Sequence, residues 1–249
     1  MYAVVTGASS GIGREIAFEL ARKHVDIILV ARRLERLITL KSEIEEKYAV
    51  DVVCYPCDLT NENRCYQLFE DCKQYPVGVL INNAGFGKTG NFTDIPLDEE
   101  ISMIQTNITA LHILTKLFAN HMSKGYILNV ASIAAFYPVP IMATYGATKA
   151  YVLSLSRAIN YELKLQKKEV SVSVLCPGPV DTEFNEVAGA NFTLRSISAK
   201  DCAKVAVQGL IRRQEVIVPD NTTKLMRYLS KFAPTKLALP IEYQIQMKK

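Results

Sequence analysis

A tyrosine and a lysine stand four residues apart, Tyr145 and Lys149, at the start of a stretch patterned as a long helix over residues 145–167. A spacing of four puts both side chains on one helix face. A phenol ordinarily titrates near pH ~10, too high for ready proton transfer near neutrality. A neighbouring ammonium favours the phenolate and is expected to lower that value, which makes the pair a candidate acid and base. Ser132, just beyond an apolar run at 126–131, is placed to hydrogen-bond a substrate oxygen in the same region. By itself Tyr-x-x-x-Lys also suits an exposed helix face, so the elements that position these residues decide between the two readings.

Those elements alternate. Apolar runs at 2–6, 26–30, 52–55, 77–82, 126–131, 171–175 and 215–218 predict strands, and the patterns at 14–23, 34–48, 62–74, 97–121, 145–167 and 199–212 predict helices. The strand runs are continuously apolar, as strands covered on both faces are. Strand–helix alternation with right-handed crossovers predicts an α/β fold, a doubly wound parallel sheet of seven strands with helices on both faces.

Ligands of such sheets bind beyond the carboxyl ends of the strands. Six of the predicted strands end in polar or backbone-exposing residues. The first runs into Thr6-Gly7-Ala8-Ser9-Ser10-Gly11-Ile12-Gly13 and the second into Ala31-Arg32-Arg33. The third is followed by Asp58-Leu59, the fourth by Asn82-Asn83-Ala84-Gly85, the fifth by Ser132 and the sixth by Pro177-Gly178. The G-x-x-x-G-x-G turn suits a tight bend, a phosphate close to the backbone, and close helix–strand packing. The helix after it aims its N-terminal amides and positive dipole end at an anion. A dinucleotide site is the expectation.

Length and composition suit one soluble domain. Residues 1–221 are expected to form the dinucleotide-binding and catalytic domain, with 222–249 a basic, amphipathic extension packed on it. No apolar stretch approaches the roughly 20 residues of a membrane span. The first strand starts at Tyr2, which leaves no room for a leader, so a cytoplasmic location and reduced cysteines are expected. Cys54-Tyr-Pro-Cys57 has redox or zinc spacing, but it closes a strand and lacks a second pair, and His24, His112 and His121 are scattered. Core packing and no metal are expected there. Lys224, Arg227, Lys231, Lys236, Lys248 and Lys249 against Glu242 concentrate the net charge of +4 in the last segment. A nucleic-acid protein would spread its basic stripe over the fold, so no nucleic-acid partner is expected.

The ordered set Thr6–Gly13, Asn82–Gly85, Asn107, Ser132, Tyr145, Lys149 and Pro177–Gly178 resembles the short-chain dehydrogenase/reductase family, over roughly residues 1–213. The resemblance implies a Rossmann fold and a carbonyl reductase or alcohol dehydrogenase. Tyr145 would be its proton donor or acceptor, Lys149 would lower the tyrosine pKa and bond the nicotinamide ribose, and Ser132 would polarise the substrate oxygen. Asn107 would hold a water linking Lys149 to solvent, or alternatively be an interior polar residue bonded to backbone. Gly7, Ser9, Ser10, Gly11, Ile12 and Gly13 would seat the pyrophosphate. Asp58 and Leu59 would meet the adenine, and Asn83, Ala84 and Gly85 the adenosine ribose side. Pro177, Gly178, Val180 and Thr182 would hold the nicotinamide carboxamide. A homodimer or tetramer is implied, the dimer through the helices at 97–121 and 145–167.

NAD-selective sites place an acid about 20 residues after the glycine turn, where it accepts from the ribose 2′-hydroxyl. Here that position reads Ala31-Arg32-Arg33. A guanidinium binds a 2′-phosphate with paired hydrogen bonds. NADP(H) is therefore expected, anchored first by Arg32 and second by Arg33, with Ser9 adding a donor. The long segment 177–198 reads as a lid, and Phe184, Val187, Phe192 and Leu194 with Phe86, Ala134, Phe136 and Met142 read as an apolar lining. A small, fairly apolar carbonyl or alcohol substrate follows. In the tail, Leu225, Met226, Leu229 and Phe232 share a helix face over 222–233, and Ile241 and Ile245 repeat the pattern over 240–249. That face is expected to pack on the pocket or a partner subunit. The alternatives are a membrane-associated lipid-modifying reductase and a non-catalytic NADP-binding regulatory protein.

Overall fold

Runs such as Val4-Val5 and Ile27-Ile28-Leu29 are almost wholly withdrawn from solvent, each such side chain contributing about 1.5–3 kcal/mol of transfer free energy. In the computed structural model, which describes residues 1–189, 196–230, 232 and 234–247, they become central strands. The strands are β1 (Tyr2–Thr6), β2 (Asp26–Ala31), β3 (Val52–Pro56), β4 (Val77–Asn82), β5 (Lys124–Val130), β6 (Glu169–Leu175), β7 (Val180–Asp181), β8 (Ile197–Ser198) and β9 (Val216–Ile217). Seven form a parallel sheet in the order β3-β2-β1-β4-β5-β6-β9, and β7 and β8 pair separately. The helices are α1 (Gly11–Ala21), α2 (Leu34–Lys47), α3 (Glu62–Cys72), α4 (Leu97–Ile104), α5 (Leu111–His121), α6 (Ala143–Leu165), α7 (Phe184–Ala188), α8 (Ala199–Ile211), α9 (Asn221–Ser230) and α10 (Thr235–Met247).

Helices α1, α2 and α8 cover one face through Ile16, Leu37, Leu40 and Val207. Leu68 and Phe69 of α3, Leu114 and Phe118 of α5 and Leu163 of α6 cover the other. Cys57, Cys65 and Cys72 pack in this second core. Strand order reverses between β1 and β4, and the crevice at their carboxyl ends is the expected ligand position. A buried polar ladder crosses this region. Asn82 Nδ2 donates to Thr115 Oγ1 (2.9 Å) and Asn129 Oδ1 (2.9 Å), and Asn129 Nδ2 donates to Ser156 Oγ (2.9 Å).

Three segments differ from expectation. The single helix predicted over 97–121 is interrupted by a π-helical turn at Gln105–Ala110 that carries Asn107; such turns recur at functional sites. The segment read as a lid loop holds β7, α7 and β8. In the tail, the predicted packed face is split. Met226 faces the main cavity, whereas Leu225, Leu229 and Phe232 are more than half exposed. Lys231, Lys248 and Lys249, and the side chains of Ile241 and Ile245, lie outside the described residues.

Candidate active site

The glycine turn is closed by its neighbours. Thr6 Oγ1 donates to the Ile81 carbonyl (3.1 Å) and accepts from the amides of Asn83 (3.0 Å) and Ala84 (3.1 Å). Asn83 Nδ2 donates back to the carbonyls of Thr6 (3.0 Å) and Gly7 (3.2 Å). A Cβ at Gly13 would lie 2.4 Å from Asn83 Nδ2 and 2.5 Å from the Gly7 carbonyl oxygen, so only glycine fits there. Gly11 has φ +55°, a conformation glycine takes without strain. Ser10 precedes α1 without capping it through its side chain, which leaves the first-turn amides open to a ligand.

Arg33, at the end of β2, reaches this turn: its Nη2 lies 3.1 Å from Ser9 Oγ and 3.4 Å from Ser10 Oγ. Arg32 lines the same cavity. Of the two arginines expected to anchor a phosphate, Arg33 is the one whose side chain folds back over the serines. Arg33 and Arg36 also pair with Glu183, and these guanidinia, Arg36 first, hold its carboxyl down at about 2. Arg36 and Glu183 were not singled out by sequence; Arg36 lies one turn after Arg33 on α2, and that spacing was the available signal. The open amides, serine hydroxyls and guanidinia together form a donor set suited to a phosphate-bearing ligand.

A cavity of about 430 Å³ runs from this turn to Tyr145. Asp58, Leu59, Asn83, Ala84, Pro177, Gly178 and Val180 line it, Thr182 does so beside Gly11 of the turn, and Gly85 does so beside Lys149 and Asn107. Gly7, Ser9, Ser10, Gly11 and Ile12 line the cavity too, whereas Gly13 is buried behind them. Phe86, Ala134, Met142, Phe184, Val187 and Met226 supply the apolar wall. Phe136 instead packs under the Arg227 guanidinium, 5.4 Å from its ring centroid, and Phe192 and Leu194 lie outside the described residues. Tyr137 and Glu242 also reach the wall. Both were missed, and Glu242 arrives only because α10 returns over the site.

Tyr145, Lys149 and Ser132 converge on the cavity. Tyr145 is 8% exposed, with the Phe184 ring 5.4 Å from its own. Lys149 Nζ donates to the Val130 carbonyl (2.9 Å) and sits 5.6 Å from the Tyr145 ring centroid. Burial pushes the phenol up to about 12, with a Ser132 hydrogen bond pulling the other way. Burial likewise brings the Lys149 ammonium down to about 8. Desolvation disfavours each charged form, and the ammonium is spent on a carbonyl. Asn107 is fixed from both sides. Its Oδ1 accepts from the Phe86 amide (3.1 Å), and its Nδ2 donates to the Phe86 carbonyl (2.9 Å) and Thr148 Oγ1 (3.1 Å). It clamps the loop after β4 to α6, one residue from Lys149. Just before α6, Ile141 is held at φ +55°, a costly conformation for a β-branched residue.

The sequence profile of the family described as "short chain dehydrogenase" matches residues 1–192. Human 17-beta-hydroxysteroid dehydrogenase type 3 is 35% identical over 196 residues, 76% of this chain and 62% of that protein. The very-long-chain 3-oxoacyl-CoA reductase of Bos taurus is 35% identical over 193 residues, 75% and 61% of the two chains. The chain thus spans less than two thirds of the length of these curated relatives. Among solved structures, a short-chain dehydrogenase from Sphingobium yanoikuyae in complex with NADPH superposes with TM-score 0.82 at 33% identity, covering 88% of each chain. The bulky-bulky ketone specific alcohol dehydrogenase from Comamonas testosteroni gives TM-score 0.80 at 30% identity, over 93% of this chain and 91% of that one.

Proposed function

The chain belongs to the short-chain dehydrogenase/reductase family, and on that premise we propose that it is an NADP(H)-dependent oxidoreductase acting on a carbonyl or secondary alcohol of a bulky, apolar substrate. One observation carries the reading. A single cavity joins the glycine turn and Arg33 at one end to Ser132, Tyr145 and an apolar wall at the other. When bound, the nicotinamide supplies a hydride to a ketone carbon or accepts one from an alcohol.

The chain's own residues do the rest. The turn from Gly7 to Gly13 and the open amides of α1 hold the pyrophosphate, and Arg33, with Arg32 beside it, takes the 2′-phosphate. Asp58, Leu59 and Asn83–Gly85 flank the adenosine, while Pro177, Gly178, Val180 and Thr182 orient the nicotinamide end. Ser132 donates a hydrogen bond to the substrate oxygen, and Tyr145 gives that oxygen its phenolic proton. Lys149 contributes positive charge beside the phenol. Asn107 positions the loop and helix that carry these groups. The apolar character is argued from the wall of Phe86, Met142, Phe184 and Met226; the bulk, in place of the small substrate expected from sequence, is argued from relatives named for steroids, very-long-chain oxoacyl groups and bulky ketones.

The test is NADPH oxidation with steroid ketones, long-chain 3-oxoacyl thioesters and small polar ketones. Turnover concentrated on the apolar ketones is expected; a preference for small polar ketones would overturn the substrate class. Binding of NADPH with no turnover of any ketone would leave the regulatory alternative standing.

A pH dependence follows from Lys149. Its ammonium loses its proton near pH 8 in the unliganded chain, so kcat/KM for reduction should fall as pH rises through about 8, the limb being a property of the enzyme without substrate. Stability does not follow the lysine alone: Lys149 favours folding as pH rises from about 8, but the buried thiols Cys65, Cys72, Cys176 and Cys202, pushed up to about 12, keep in the folded chain protons that the unfolded chain loses from about 9 upward, and stability falls there. A pH series of kcat/KM checks the lysine; a value unchanged between about pH 7 and 9 would remove Lys149 as the titrating group.

A further inference from the structure

Glu183 stands between Thr182, which lines the cavity beside Gly11, and Phe184, which packs against Tyr145. Its carboxylate accepts from Arg33 Nη2 through Oε2 (2.9 Å) and from Arg36 through Oε1. The same Arg33 Nη2 reaches Ser9 and Ser10. Five side chains from three distant segments thus cluster, Ser9, Ser10, Arg33, Arg36 and Glu183, and the anion among them comes from the protein. Of these donors Arg33 is the one assigned above to the adenosine 2′-phosphate. A carboxylate and a phosphate both accept from the fork of a guanidinium, and the two cannot hold the same N–H groups at once.

We propose that Glu183 is a specificity-determining residue of the cofactor site: its carboxylate is a built-in competitor for the 2′-phosphate, displaced by NADPH and left in place by NADH. The proposal rests on the NADP(H) reading. The ion pairs are partly exposed on both sides, with side chains 38–46% accessible. Pairs of this kind are weakly held, and a phosphate carrying more charge than a carboxylate takes their place. Glu183 also pairs with Arg36, so displacement from Arg33 leaves the segment between β7 and α7 tied to α2 by that second pair.

Calorimetric titration of NADPH and NADH into the wild type, Glu183→Gln, Arg33→Ala and the double variant tests this. Glu183→Gln should tighten NADPH by about five-fold, the scale on which exposed charge pairs are held, leave NADH unchanged, and lose its gain when Arg33 is also replaced. An unchanged or weakened NADPH affinity in Glu183→Gln, with Arg33→Ala still costing NADPH selectively, would overturn the competitor alone. If Arg33→Ala cost the two cofactors equally, the NADP(H) reading would fall and take the competitor with it. Glu183 is partly exposed, and thermal melts verify that Glu183→Gln is folded.

Discussion

Replacing Tyr145 by phenylalanine is expected to lower kcat for ketone reduction by about a hundred- to ten-thousand-fold, the contribution of a positioned proton donor. The substitution removes one oxygen from a ring that is 8% exposed and packed against Phe184, so the wall and the helix are kept. NADPH should still quench tyrosine fluorescence of the variant, since the turn and Arg33 lie at the other end of the cavity. Loss of turnover with retained binding separates a chemical role from a structural one. A fully active variant would remove Tyr145 from the mechanism, and a variant that no longer binds NADPH would make it a binding residue instead.

The second large effect is expected at Arg33. Charge-assisted hydrogen bonds contribute about 1.5–3 kcal/mol, so Arg33→Ala should reduce the preference for NADPH over NADH by about ten- to a hundred-fold. Arg36 remains to hold Glu183 in that variant, so the segment between β7 and α7 keeps one anchor. Affinities for both cofactors, measured on the same preparation, decide the matter. An equal loss for the two would show that the guanidinium supports the turn without reading the phosphate.

Much of this site was legible because its parts are local. A glycine turn between an apolar run and a helix, and a tyrosine and lysine one turn apart, are carried by spacing alone. Sheet order was legible for the same reason: continuous apolar runs alternating with helices admit few topologies. What was not legible depends on side chains meeting across the fold. Asn107 reads as a helix residue in sequence, but the π-helical turn and its bonds to Phe86 and Thr148 exist only once α6 has docked. Glu183 meets Arg33 across 150 positions of chain. The balance of charge and burial at the lysine–tyrosine pair was not legible for a related reason. Proximity on a helix predicts the sign of a charge–charge effect, but burial of both groups outweighs it, and burial is a property of the folded chain.

The central claim is hydride transfer between a nicotinamide and a ketone at Tyr145, and isotope transfer tests it most directly. NADPH carrying deuterium at the reactive carbon of the nicotinamide would be turned over with a bulky apolar ketone, and the alcohol analysed by mass spectrometry and NMR. One deuterium on the carbinol carbon per NADPH consumed, with a solvent-derived hydrogen on the oxygen, is the expected result. Alcohol formed without deuterium on that carbon, or NADPH consumed without alcohol, would contradict it.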